Sequence, residues 1–176
     1  MAGLRSSKSS RIALGGIMAA GSLAFLWGAS LVPSGRLGLT AMAGLFPMTA
    51  VLSAGRSAGY LSWAAAGLLG LILLPSKEVP LLYLAFFGVY TVAKERIESL
   101  RRQGIEWCLK LGYFNLVLTL IWRVFHKIFL PSLPDWLEEN SLLFYGIGNL
   151  IFVIYDIGLS KLIALFRVRL RLRGGR

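Results

Sequence analysis

The sequence predicts an all-α fold, a polytopic membrane protein in which about six transmembrane helices form a compact bundle. Apolar residues make up 56% of the 176 residues and charged residues only 15%, whereas about a quarter of a soluble domain is charged. The mean hydropathy is positive, at +0.69. Six apolar stretches approach or exceed the ~20 residues that a helix needs to cross the hydrocarbon core. These observations exclude a disordered chain and a soluble enzyme of ordinary composition.

The first three predicted spans are bounded by turn residues. Span one covers Arg11–Val32 and ends at Pro33, since a proline disfavours helix in the residue before it. Span two, Leu37–Ala54, contains Pro47, and span three covers Ala58–Leu74. The apolar run of span one is longer than that of a usual signal peptide, so we interpret span one as an uncleaved anchor.

The last three spans follow short connections, and no long polar linker divides the chain. Span four runs from Val79 to about Ala93, span five covers Ile105–Leu130, and span six runs from Ser141 to about Phe166. Spans two to four are short, so tilted helices, a re-entrant pair and a broken hairpin all fit them. The predicted organisation is, in chain order, a basic cytoplasmic tail, a six-helix transmembrane domain and a second basic cytoplasmic tail, at residues 1–10, 11–166 and 167–176.

The distribution of Lys and Arg predicts the orientation. With a cytoplasmic N-terminus, fourteen of the nineteen Lys and Arg residues fall in cytoplasmic segments, four fall on the other side, and Lys110 lies inside span five. Cytoplasmic loops of membrane proteins carry an excess of Lys and Arg. Because six is an even number of spans, both termini are then cytoplasmic. We therefore predict a multi-pass protein of the cell membrane with both ends inside.

The net charge of +11 is explained without nucleic acid. Topology places most of the basic residues, and each one near a membrane surface attracts anionic lipid by about 1 kcal/mol. The tail at 167–173 alternates Arg with apolar residues. We interpret it as a contact with the membrane surface, so anionic membrane lipid is a predicted partner and nucleic acid is not.

The sequence contains no recognisable catalytic or metal-binding constellation. Cys108 is the only cysteine and His126 the only histidine, which excludes an internal disulfide and most metal sites built from these residues. No glycine-rich phosphate loop and no hydrolase or metalloprotease motif is present. We predict no enzyme activity, no metal and no cofactor, and we interpret the acidic residues at 135–139 as a solvated loop.

Small residues recur along one helical face of span one. Gly16, Ala20 and Ala24 are spaced by four residues, and Ala19 widens the face. Small residues let the backbones of membrane helices approach closely. We predict that these four residues dock a partner subunit, and packing inside the bundle is an equal alternative. The same spacing recurs in span three, where internal packing is the favoured interpretation, at Ala58, Ser62, Ala66 and Gly70.

Polar and aromatic side chains occur together in spans five and six, where an isolated polar group is costly. They fit two interpretations equally. Either they line an outward-facing ligand pocket, in which amides donate hydrogen bonds and rings stack on a flat ligand, or they hydrogen bond the helices to each other. The predicted substrate-binding residues are Asn115, Thr119, Trp122, Tyr145 and Asn149.

Two charged residues lie at matching depths in spans five and six. Lys110 is five residues into span five from the cytoplasmic side, and Asp156 lies near the inner leaflet in span six. We predict a structural ion pair between them. A proton or ion relay through Asp156 is the alternative.

The opening of span one, Arg11–Leu23, resembles the first helix of the substrate-binding S components of energy-coupling factor (ECF) vitamin transporters. S components are similar in size and basic, with about six spans and cytoplasmic termini. The resemblance covers the whole chain in architecture and only span one in motif. It implies that Gly16, Ala20 and Ala24, with Ala19 beside them, dock on a membrane coupling subunit.

The resemblance implies a membrane-embedded capture subunit of an ECF-type uptake transporter. Such a subunit binds a vitamin-like small molecule from outside, docks on a coupling transmembrane subunit driven by two ABC-type ATPases, and topples to release its ligand. No motif for a particular vitamin is recognisable in the outer loops or in spans four to six. Two alternatives stay open: a bacterial membrane structural or assembly protein without a ligand, and a small transporter that acts alone with Asp156 at its centre.

Overall fold

The computed structural model describes residues 8–100, 102–123 and 140–174. Every regular element in these residues is helical, which confirms the all-α class. The helices group into two compact units, Met1–Ser99 and Leu100–Arg176. Six helical segments correspond to the six predicted spans, four of them in the first unit and two in the second.

The first three segments of the first unit are joined by tight turns. α1 covers Lys8–Leu31, and a 3₁₀ turn at Pro33–Gly35 reverses the chain. The return segment consists of α2, Arg36–Ala43, and α3, Leu45–Ala54. α4 covers Arg56–Leu73, and the single residue Gly55 separates it from α3. Gly55 has a φ of +93°, a backbone conformation that residues with a side chain rarely adopt.

The fourth segment of the first unit is a helix with a π-helical insert. α5 covers Glu78–Leu82, the π-helical turn covers Tyr83–Phe87, and α6 covers Gly88–Glu98. The predicted span ends about a turn earlier than this helix does. The extra turn carries a buried Lys94 whose Nζ lies 2.8 Å from Glu98 Oε1, and this i,i+4 pair stabilises it.

α4 turns its small residues towards the interior of the first unit. A Cβ on Gly59 would overlap Val51 of α3, and a Cβ on Gly67 would overlap Leu84 of the π-helical turn. The predicted internal packing of this face is confirmed, because its four members are all buried: Ala58, Ser62, Ala66 and Gly70.

A proline explains the buried polar cluster of the first unit. The helix is interrupted at Gly44, and Pro47 lies in the first turn of α3. Because proline has no N–H, Pro47 cannot donate to the Ala43 carbonyl four residues earlier. The Ser22 hydroxyl of α1 donates to that carbonyl at 3.0 Å, and the Tyr83 hydroxyl donates to Ser22 at 3.2 Å. The hydrogen bond from Ser22 to the Ala43 carbonyl thus replaces the backbone hydrogen bond that Pro47 cannot form.

The second unit contains two long helices among its described residues. α7 covers Gln103–Arg123, and α8 covers Ser141–Gly174. The end of predicted span five, residues 124–130, lies outside the described residues. α8 extends the sixth span through most of the segment predicted as a basic tail.

Among the residues that the structure describes, four helical stretches are long and apolar enough to cross a membrane. By length and composition alone, these stretches are Lys8–Leu31, Pro33–Ala54, Gln103–Arg123 and Ser141–Leu165. Large apolar side chains are exposed along them, for example Ile17 at 66% and Ile154 at 63%. An exposed apolar surface of this extent marks a contact with lipid or with another protein.

We predict that Ser22→Ala lowers the free energy of unfolding of the detergent-purified protein by about 1–3 kcal/mol, because a buried carbonyl and a buried tyrosine hydroxyl each lose their partner. Pro47→Ala restores a backbone donor to the Ala43 carbonyl and should reduce the cost of Ser22→Ala. Denaturant unfolding of the two single variants and the double variant measures this coupling. An identical cost with and without Pro47→Ala would contradict the assignment.

Candidate functional site

The polar side chains of the second unit meet at the interface between α7 and α8. The two helices are antiparallel, because Lys110 pairs with Asp156 at one level and Thr119 contacts Tyr145 at another. All of the predicted polar residues of spans five and six lie at this interface. We name three contacts the α7–α8 ladder: Lys110–Asp156, Asn115–Asn149 and Thr119–Tyr145.

The first contact of the ladder is a buried ion pair. Lys110 Nζ lies 3.0 Å from Asp156 Oδ2, and the two side chains are 6% and 3% exposed. Lys110 Nζ also lies 5.5 Å from the centroid of the Trp107 ring, within the range of a cation–π contact. The structure therefore brings together the two residues that the sequence pairs. The attraction between the two charges offsets the free-energy cost of removing them from water. A single buried charge has no such compensation.

The second contact is a reciprocal pair of amides. Asn115 Nδ2 donates to Asn149 Oδ1 at 2.9 Å, and Asn149 Nδ2 donates to Asn115 Oδ1 at 3.0 Å. Each Nδ2 also donates to a backbone carbonyl of its own helix, of Leu111 or of Tyr145, at 2.8 Å. A side-chain amide has two N–H donors, so both donors of both residues are occupied.

The third contact joins a threonine and a tyrosine. Thr119 Oγ1 lies 2.7 Å from the Tyr145 hydroxyl, and Thr119 also donates to the Asn115 carbonyl at 2.7 Å. Beyond it, the Trp122 ring packs on Phe144 with centroids 4.4 Å apart. The ring that the sequence analysis offers for ligand stacking is thus already packed on the neighbouring helix.

The ladder consists of polar contacts that join α7 to α8. The five residues predicted to bind substrate lie at one interface. Four of them hydrogen bond in pairs, Asn115 with Asn149 and Thr119 with Tyr145, and the fifth, Trp122, packs on Phe144. A ligand that accepts a hydrogen bond from the Asn115 or Asn149 amide has to displace an existing bond, which costs about as much as the new bond gains. Of the two interpretations left open by the sequence, this geometry favours hydrogen bonding between helices.

The predicted docking face of α1 is divided by the fold. Gly16, Ala20 and Ala24 are exposed, and nothing lies within 4 Å of a Cβ placed on Gly16. Ala19 is only 5% exposed and packs in the core of the first unit with Leu26. Ala19 therefore does not belong to the exposed face, because it lies three positions from Gly16 on the side that α1 turns inward. We name Gly16, Ala20 and Ala24 the α1 strip.

The sequence alone does not predict the partners of Ser22, Arg36 and Glu78. Ser22 received no role, although Pro47 in the same bundle signals a carbonyl without its helical donor. Arg36 and Glu78 form an ion pair between the first turns of α2 and α5. The ion pair places them at the same end of the first unit.

Some predicted features cannot be placed or carry no chemistry of their own. His126 and the acidic loop at 135–139 lie outside the described residues. Cys108 is exposed. In the part of the chain that the structure describes, no three His, Cys, Asp or Glu side chains are grouped to hold a metal ion.

Comparison with protein-family models, with curated proteins and with solved structures finds no match. Nothing in these comparisons identifies the chain as an S component, so that assignment stays a prediction. The functional argument therefore depends on the geometry of the α1 strip and of the α7–α8 ladder.

We predict that Asp156→Asn lowers the free energy of unfolding by about 3–5 kcal/mol, because it leaves the Lys110 charge buried without its partner. The double variant Lys110→Met/Asp156→Leu removes both charges and should be closer to the native protein in stability. Denaturant unfolding in detergent checks both variants. A stable, fully folded Asp156→Asn variant would contradict the structural ion pair and favour the relay.

We predict a favourable coupling of about 1 kcal/mol between Asn115 and Asn149, in the range of ~0.6–1.7 kcal/mol measured for hydrogen bonds between membrane helices. Unfolding of Asn115→Ala, Asn149→Ala and the double variant gives this coupling. A pocket makes a different prediction, since the two alanine variants would then change stability independently and by little.

Proposed function

We propose that the chain is an integral membrane protein that crosses the bilayer six times with both termini in the cytoplasm. Four stretches long and apolar enough to span, together with exposed apolar side chains, support this proposal. The charges at the two ends of the first unit agree with it. Lys8, Arg11 and Arg56 lie where α1 and α4 begin, and the Arg36–Glu78 pair lies where α2 and α5 begin. The end richer in basic residues is then cytoplasmic.

The proposed function is that of an interaction subunit, which binds a helix of a partner membrane protein through the α1 strip. The exposure of Gly16, Ala20 and Ala24 carries this proposal. Exposed Ile17 and Trp27, at 66% and 45%, flank the strip and extend its apolar surface. In lipid, where apolar burial gives no gain, close backbone approach is the main source of helix association. A face without large side chains is the surface that permits it.

A capture subunit of an ECF-type uptake transporter is the more specific form of this proposal. Its support is the resemblance of Arg11–Leu23 and the exposure of the α1 strip. It requires in addition a site for a vitamin-like ligand, and the residues predicted for that site bind one another in the α7–α8 ladder. An assembly protein without a ligand requires only the strip. The geometry therefore supports the interaction function more directly than the capture function.

We predict that Ala20→Leu/Ala24→Leu abolishes partner association without unfolding the protein. Two leucines hold the partner helix away from the backbone of α1, and because both positions are exposed, the substitutions lie outside the core of the first unit. The measurement is co-purification of the tagged chain from native membranes in mild detergent, with mass spectrometry of the proteins recovered. Ala164→Leu, at an exposed alanine of α8, is the matched control.

The identity of the recovered proteins separates the two forms of the proposal. A membrane coupling subunit with two ABC-type ATPases, lost on Ala20→Leu/Ala24→Leu, supports the capture subunit. Other membrane proteins lost on the same substitution support an assembly role. The same recovery from the native protein, the strip variant and the Ala164→Leu control would contradict docking through α1.

A further inference from the structure

A cavity of about 450 Å³ lies between the beginnings of α1 and α4, on the opposite end of the first unit from the Arg36–Glu78 pair. Its volume falls within the ~300–1,000 Å³ of small-molecule sites. No residue of the α1 strip or of the α7–α8 ladder lines it. Its walls are formed by Lys8, Arg11, Ile12, Ser57, Ala58 and Leu61.

The cavity has two chemically distinct parts. Lys8 and Arg11 supply two cationic groups one helical turn apart, and the Ser57 hydroxyl faces them from α4. Ile12, which directly follows Arg11 on α1, and Leu61, which lies one turn beyond Ser57 on α4, form an apolar wall and are 55% and 42% exposed. A ligand that fills both parts carries a negative headgroup attached to an apolar chain.

The start of α4 adds to the positive potential of the polar part. Gly55 precedes the helix and gives no side-chain cap to its first N–H groups. The first N–H groups of a helix have no partner within the helix and attract anions. Ser57 is the second residue of α4 and lines the cavity, so the cavity wall includes the start of this helix.

We propose that this cavity binds the phosphate group of an anionic phospholipid, with the glycerol and the upper acyl chain along Ile12 and Leu61. The inference rests on the proposed membrane topology, which places this end of the first unit in the cytoplasmic leaflet, where anionic lipids are enriched. Arg and Lys provide charge-assisted hydrogen bonds to phosphate oxygens. The bound lipid bridges α1 and α4 at the end where the chain enters the bilayer.

A free phosphate ion shares the headgroup chemistry and is the less suitable occupant. A phosphate ion can bind the side chains of Lys8 and Arg11, but it leaves the apolar wall of Ile12 and Leu61 uncovered. A phospholipid covers both parts. The cavity is also open, because five of its six lining residues are exposed and only Ala58 is buried, so an acyl chain can leave it sideways into the bilayer.

The test is native mass spectrometry of the full-length protein in detergent, titrated with dioleoylphosphatidylglycerol, with dioleoylphosphatidylcholine or with sodium phosphate. We expect one tightly bound phosphatidylglycerol, weaker binding of phosphatidylcholine, and no displacement by phosphate. Lys8→Gln/Arg11→Gln should weaken the binding of phosphatidylglycerol about 30-fold, from ~1 kcal/mol for each of the two basic residues. Ser57→Phe, which fills the cavity and keeps both charges, should prevent binding at the same site.

Arg96→Gln/Arg102→Gln is the matched control, because it removes two exposed basic charges that do not line the cavity. Because neither residue lines the cavity, each can act on the lipid only as a screened surface charge, and we expect a change of about twofold or less. An equal loss in both double variants would overturn the site in favour of diffuse attraction. Displacement by phosphate would assign the cavity to a free anion, and unchanged binding to Ser57→Phe would place the lipid elsewhere.

The outcome is separable from that of the proposed function. Lipid binding in detergent depends on Lys8, Arg11 and Ser57, whereas partner recovery depends on the α1 strip. Circular dichroism and gel filtration of each variant establish that the fold is intact. Loss of phosphatidylglycerol selectivity with normal partner recovery refutes the lipid site alone. Selective lipid binding by a protein that recovers no partner refutes docking alone.

Discussion

A polar group inside an apolar helix needs a partner within the protein, and this constraint accounts for the interior contacts of both units. In the first unit, Pro47 deprives the Ala43 carbonyl of its helical donor, and Ser22 supplies another from α1. In the second unit, Lys110 and Asp156 occupy the same level of two antiparallel helices. Because a buried polar group without a partner costs free energy, each of these contacts favours the pair of helices that forms it.

Small residues have opposite consequences in α1 and α4, although their spacing in the sequence is the same. On α4 they face large neighbours, and a Cβ on Gly59 or Gly67 would collide with them. On α1 the strip begins at Gly16, where a Cβ would meet no atom within 4 Å. The first pattern is used for internal packing. The second is left available, and for that reason the proposed function depends on it.

The sequence predicts where the helices lie along the chain better than it predicts which side of each helix is buried. Hydropathy and turn residues locate the starts of six helical segments within about three residues, because these signals are local, whereas α6 and α8 end about one and two turns later than predicted. Matching depths also suggest the approach of Lys110 to Asp156. The inward position of Ala19 depends on which neighbours α1 has, and spacing alone does not contain that information. The cavity at Lys8 and Ser57 likewise arises only when separate segments pack together.

The central claim is the membrane topology, and cysteine accessibility tests it most directly. Cys108→Ser gives a cysteine-free background, and Ser34→Cys and Ser99→Cys place single exposed cysteines at the proposed outer and inner ends of the first unit. In intact cells, a membrane-impermeant maleimide should label Ser34→Cys at once and Ser99→Cys only after permeabilisation. Labelling of both positions in intact cells, or of Ser99→Cys alone, would contradict the account.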